Sequence, residues 1–211
     1  MIQHGGASGI LAKFAGRILP RFRRDKQGAA AIEFAVLLPL MLTLNMGLVD
    51  VTSGVRLDRK VSLLSRTLAD LASQFQTAAP TDISAIFDAA SAVLSPNPAS
   101  AAKMRITSVI MKTNGTNCVD WSYGKNAAPK TRGSAITLSS PLLDPGATTW
   151  QSVILAEIEY PYVPVTQYVI GNLTLGEKTL MRPRASTRVQ LLWGASPPAN
   201  PNNPCGDASL T

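Results

Sequence analysis

Apolar positions along this chain change their spacing several times, and each change marks an element. From Ala29 to Val49 the sequence reads AAAIEFAVLLPLMLTLNMGLV, 21 residues with one charge, Glu33. At about 1.5 Å per residue this is roughly 31 Å of helix, enough to cross a hydrocarbon core of about 30 Å. Pro39 removes one backbone donor, leaves the carbonyl of Ala35 without its usual partner, and predicts a kink. Membrane helices tolerate such a proline because neighbouring groups re-satisfy the freed carbonyl. Asn45 and Gly47 suit close helix contacts. After Val49 the continuous run becomes a stripe: Val51, Val55, Leu57, Val61, Leu64, Leu68, Leu71 and Phe75. From Val61 onward the steps alternate three and four, the mark of an amphipathic helix. Arg56, Asp58, Arg59, Arg66 and Asp70 fall on other faces. The pattern predicts one helix from about 29 to 76, roughly 70 Å long, whose second half needs a cover. The C-terminal region, folded as a sheet, is the expected cover.

Beyond Pro80, which closes the helix, Thr81 or Asp82 is placed to cap a short helix with Ile83, Ile86, Phe87, Ala90 and Leu94 on one face. Alternating, β-branched residues then predict strands at 103–112, 118–123 and 150–160, with an Asn114-Gly115 turn after the first. Residues 124–134 and 138–149 read as loops, and 165–175 is ambiguous. A final strand is expected over 178–193, with Pro183 at an edge or bulge. The expected fold is therefore α+β and membrane-anchored: a long transmembrane and amphipathic helix, then a small, mostly antiparallel sheet. The organisation is a basic leader (1–28), a transmembrane helix (29–49), its amphipathic continuation (50–79), an α+β domain (80–193) and a Pro/Asn-rich tail (194–211).

Charge sharpens the picture. The chain has 20 basic and 13 acidic residues, net +7. Residues 1–28 hold six basic residues against Asp25, a net of +5, so the folded part carries only +2. That argues against a nucleic-acid partner. It matches the positive-inside rule, with the leader cytoplasmic and residues after about 50 translocated. The leader is too long and its apolar run too extended for a secretory signal peptide, and no small-x-small cleavage site follows. A mitochondrial presequence is a rival, since residues 1–24 contain basic residues and no acid. Cys118 and Cys205 can form one disulfide closing a loop of about 88 residues, worth about 4 kcal/mol in the loop-entropy model.

Little catalytic chemistry is available. His4 is the only histidine and lies in the leader, which removes a Ser-His-Asp or Cys-His site and a His/Cys metal site from the folded part. No phosphate-binding glycine motif is present. Glu157 and Glu159 share a strand face and suit a hard cation or a carboxylate pair; a solvated face paired with Arg182 or Arg184 is the better expectation. Trp121, Trp150, Tyr160 and Tyr162 offer a stacking platform, with core and edge packing again preferred. No cofactor, metal or enzymatic activity is expected, and a carboxylate-only hydrolase is a distant rival.

Glu33 remains. A lone carboxylate near the end of a span can snorkel to the headgroups. If the chain were cut after Gly28, Ala29 would carry a free amine. In a bundle of such helices, Glu33 of one chain could pair with that amine on a neighbour, removing two costly charges from lipid and fixing axial register.

The stretch GAAAIEFAVLLPLMLTLNMGLVD resembles the signature of the TadE-like minor pseudopilins of tight-adherence (Flp) pilus systems, carried here by Gly28, Ala29, Ala30, Ala31, Glu33, Phe34 and Pro39. The close resemblance covers about residues 27–71, and weaker likeness extends to VILAEIEYPYVPV and LMRPRAS. It implies a pilin-like structural subunit that initiates, caps or regulates a pilus and serves bacterial adhesion. It further implies cleavage between Gly28 and Ala29 by an aspartic prepilin peptidase, and a register role for Glu33 and Phe34. The implied partners are membrane lipid, the major Flp pilin, other minor pseudopilins, the prepilin peptidase, and the assembly platform with its ATPase. The implied location is the bacterial inner membrane, single-pass, with the C-terminal domain periplasmic. The alternative is an uncleaved, membrane-anchored periplasmic protein that binds pilus or secretion components.

Overall fold

A computed structural model describes residues 27–112, 115–138, 150–167 and 171–192. Residues 1–26, 113–114, 139–149, 168–170 and 193–211, Asn114 and Cys205 among them, lie outside the described residues. The chain divides into two units, one ending at Val49 and one beginning at Asp50.

Helix α1 (Gln27–Ser73) runs through Pro39 for 47 residues. In the first unit its apolar side chains stand open all round, from Ile32 to Val49. This segment has the composition and length of a membrane span. In the second unit Leu57, Val61, Leu64 and Leu68 are buried, as their spacing predicts, while Val51 and Val55 are exposed and lie off the buried stripe. The helix ends at Ser73, three residues short of the expectation, because residues 77–78 form a short strand, β1 (Thr77–Ala78).

Helix α2 (Pro80–Ser91) begins on its proline, whose missing N–H costs nothing at a first helical position. Ala79 is its N-cap, not Thr81 or Asp82. Asp82 instead sits in the first turn and accepts the Ala79 N–H at 2.8 Å. Ile83, Ile86, Phe87, Ala90 and Leu94 are buried together as expected.

Strands β2 (Lys103–Met111), β3 (Asn117–Lys125), β4 (Gln151–Tyr162) and β5 (Leu173–Met181) form one sheet in the order β3-β2-β4-β5. Every neighbouring pair is antiparallel. The β2–β3 turn uses Gly115 at φ +80°, where a side chain would be strained. The expected final strand over 178–193 divides: β5 begins earlier, ends before Pro183, and only β6 (Gln190–Leu191) resumes, paired in parallel with β1. A proline has no N–H for a ladder, so pairing stops there.

One sheet face presents Met104, Ile106, Ile154, Ala156 and Ile158 to the core shared with Leu57, Val61, Leu64 and Leu68 of α1 and with α2. Ser65 bonds Thr179 across this interface at 2.8 Å. The opposite face carries Val109, Met111, Val153 and Leu155, covered in part by Ile136 and Leu138 from the loop after β3. The result is a long apolar helix followed by a small α+β domain with a four-stranded antiparallel sheet.

Candidate functional site: an uncovered helix start and a tethered boundary

Gly28 and Ala29 lie in the first turn of α1. A Cβ placed on Gly28 would meet nothing within 4 Å. Glycine in a helix interior costs about 1 kcal/mol relative to alanine, and less at a helix start; among the described residues no packing requires it here. Ala29, Ala30, Ala31 and Glu33 are exposed, and Phe34 is 63% exposed. The apolar helix therefore offers one carboxylate, one aromatic ring and three small residues beside a glycine, all free to meet something outside the chain.

Where the second unit begins, Asp50 is fully buried. Its carboxylate accepts the backbone N–H groups of Val165 (3.0 Å) and Thr166 (3.3 Å) and the Thr166 hydroxyl. Its carbonyl accepts the Tyr162 hydroxyl at 2.8 Å. A Cβ on Gly54 would stand 3.3 Å from the Tyr162 ring, so the small residue lets ring and helix approach. Burial pushes the Tyr162 hydroxyl above the ordinary phenol range, and the Asp50 charge adds to this; burial alone raises Tyr160. The apolar pattern puts Asp50 in the helix and assigns it no partner. Its partners lie more than 110 residues away, where no periodicity can reveal them.

The expectation for Glu157 needs correction. Glu159 is exposed, but Glu157 is buried, not solvated, and its cations come from other residues than Arg184. Its carboxylate meets Arg105 Nε (2.8 Å), Lys130 Nζ (3.2 Å) and Lys178 Nζ (3.3 Å). Arg184 forms an ion pair with Asp70 instead (2.9 Å). The reason is topological: β2 and β5 flank β4, placing Arg105 and Lys178 beside Glu157, and the loop after β3 brings Lys130 over it. Burial alone would raise the Glu157 carboxyl; the Arg105 bond and the charges of Arg105 and Lys130 outweigh that and hold it below the usual carboxylate value. A carboxylate already matched by three cations is a structural clamp, which leaves no free ligand for a hard cation.

A second buried carboxylate, Asp120, sits at a bulge in β3, where Ser108 pairs with Trp121 and Val109 with Val119. Arg188 grips it with two bonds, Nε to Oδ2 (2.7 Å) and Nη2 to Oδ1 (2.5 Å). The Trp121 indole N–H donates to the Val189 carbonyl at 2.7 Å. Trp121, Tyr160 and Tyr162 are thus buried, with their polar atoms bonded, and Trp150 is half-buried; none of the four forms an open stacking platform. Cys118 is buried on β3, and its expected partner Cys205 lies outside the described residues. Among the described residues no cluster of three or more His, Cys, Asp or Glu could hold a metal.

No curated protein and no solved structure matches the chain. Residues 28–69 match the family model described as TadE-like protein. The match begins at the uncovered glycine and ends inside the buried stripe of α1, and over that stretch the chain is TadE-like.

Proposed function

We propose that this protein is a minor pseudopilin of a Tad-type pilus, made as a membrane-anchored precursor and cut between Gly28 and Ala29. The TadE-like match points to Tad pilus assembly in general; the finer role rests on the helix start. The carrying observation is that Gly28 is a weak helix former in the first turn of α1 while nothing among the described residues lies within 4 Å of where its Cβ would stand. A peptidase that reads a glycine before the scissile bond supplies the missing reason. The freed amine of Ala29 then meets Glu33 of a neighbouring helix, with Phe34 beside it. The protein acts as a structural subunit rather than an enzyme. Its helix sits in the inner membrane, and its α+β domain faces the periplasm. Its partners are the peptidase, the major pilin, other minor pseudopilins and the assembly platform with its ATPase.

The test is Gly28→Ala in the native host. Processing slows or stops while membrane insertion persists; a mature mass equal to that of the unsubstituted protein sinks the cleavage claim.

A second reading, an uncleaved anchor that binds assembly components, is favoured by one observation: the Gly28–Ala29 bond lies inside α1, and a protease needs that turn unwound. Fraying of a first turn, which lacks its intrahelical acceptors, makes such unwinding cheap.

A further inference from the structure

We infer that the loop Pro161–Gln167 is a membrane-interface contact, with Val163 and Val165 entering the headgroup boundary at the level of Asp50. Val165 is 83% exposed and Val163 59% exposed, high values for valines on a folded domain. Their exposure is not loose chain. Asp50 fixes the loop through the Val165 and Thr166 N–H groups, and Tyr162 anchors its start on the Asp50 carbonyl and against Gly54. Buried hydrogen bonds thus hold two apolar side chains out into the surroundings.

The place of the anchor names the occupant. Asp50 directly follows Val49, the last residue of the uncharged stretch after Glu33. A bilayer that covers that stretch has its headgroup boundary at Asp50. Two hydrogen bonds of 3.0 and 3.3 Å tie the loop backbone to that same residue. From Tyr160 to Gln167 the sequence has no charged side chain, so this loop meets lipid without burying a charge. Valines at this depth exchange water for acyl chain, and the uncharged neighbours cost little. The contact would give the domain a second attachment to the bilayer beside the helix.

The inference rests on reading the apolar helix as a membrane span, and the experiment separates the two. The full chain is reconstituted in phosphatidylethanolamine–phosphatidylglycerol vesicles, with an environment-sensitive fluorophore on an introduced cysteine. Quenching by a nitroxide placed high on the lipid acyl chain is read at V165C, at V163C, at L42C within the span, and at T131C. Thr131 lies in the loop joined to Val119 of β3, whose level on β4, through β2, is Val153. Lys130 beside it reaches Glu157, so Thr131 lies between the levels of Glu157 and Val153, about 17–30 Å from Tyr162 along the strand. A chain without an introduced cysteine reports labelling at Cys118 or Cys205. The expected result is quenching several-fold stronger at V165C and V163C than at T131C, and reduced when Asp50→Asn loosens the loop. Quenching at L42C with V165C and V163C no better than T131C overturns the loop contact alone. No quenching at L42C overturns the membrane reading and the loop contact together. A probe response that appears only at high protein-to-lipid ratio, without lipid quenching, assigns the valines to another copy of the chain and overturns the inference.

Discussion

Replacing Arg188 with methionine should be among the most damaging single changes to the folded domain. Arg188 is 9% exposed at its side chain and Asp120 is 1% exposed. With the guanidinium gone, the Asp120 carboxylate keeps, among the described residues, the Ser108 hydroxyl at 3.4 Å. Leaving a buried charge without its partner costs about 3–5 kcal/mol. A domain of this size is stable by about 5–15 kcal/mol, so the loss is a large share of the total. The damage is also directed. Arg188 lies in the segment that returns to the end of α1, where the Arg184 N–H bonds the Ser73 carbonyl and β6 pairs with β1. The assay is urea unfolding of the detergent-solubilised full chain, followed by fluorescence. With a slope of about 1–3 kcal/mol per molar urea, the midpoint should fall by more than about 1 M. The double variant Asp120→Leu with Arg188→Met removes both charges and should recover most of the loss. A loss under about 1 kcal/mol in the single variant, or a double variant as unstable as the single one, would refute the reasoning.

Further consequences can be checked independently. Glu157→Gln should destabilise by about 1–3 kcal/mol near neutral pH, the worth of hydrogen bonds to a charged group. Because the folded Glu157 carboxyl lies below its unfolded value of about 4.3, the advantage of the unsubstituted protein is full above that pH and fades as the pH falls through the folded value. An advantage that grows on acidification would contradict the clamp. Cys118 and Cys205 should be joined in the exported protein; Cys118→Ser should then lower stability by about 4 kcal/mol, and a native mass showing two free thiols would end the idea. Glu33→Ala should leave the chain inserted in the membrane but poorly incorporated into pili, and normal piliation would remove its register role.

What could be read from the sequence was what repeats locally. The three-four spacing of Val61, Leu64 and Leu68 located the buried stripe. The alternation in KMRITSVIM and QSVILAEIEY located the two central strands to within a residue or two. What could not be read was what distant segments do to one another. Glu157 looked solvated because alternation assigns a face but not its cover, and the loop carrying Lys130 supplies that cover. Asp120 and Arg188 are 68 residues apart, and the bulge that turns Asp120 toward its partner has no sequence signal. Val51 and Val55 continue the apolar list but fall off the buried face, since the steps before Val61 do not keep the three-four alternation. For the helix start, composition gave the candidates and the structure adds their exposure; what meets Gly28 and Glu33 is decided outside the chain.

The central claim is that the helix start is made by cutting. The most direct measurement is the N-terminal residue and intact mass of the protein purified from its native membranes, with an active prepilin peptidase present. The account predicts a chain beginning at Ala29. A chain that still begins with the leader, in membranes where the peptidase is shown to act on another substrate, would contradict it.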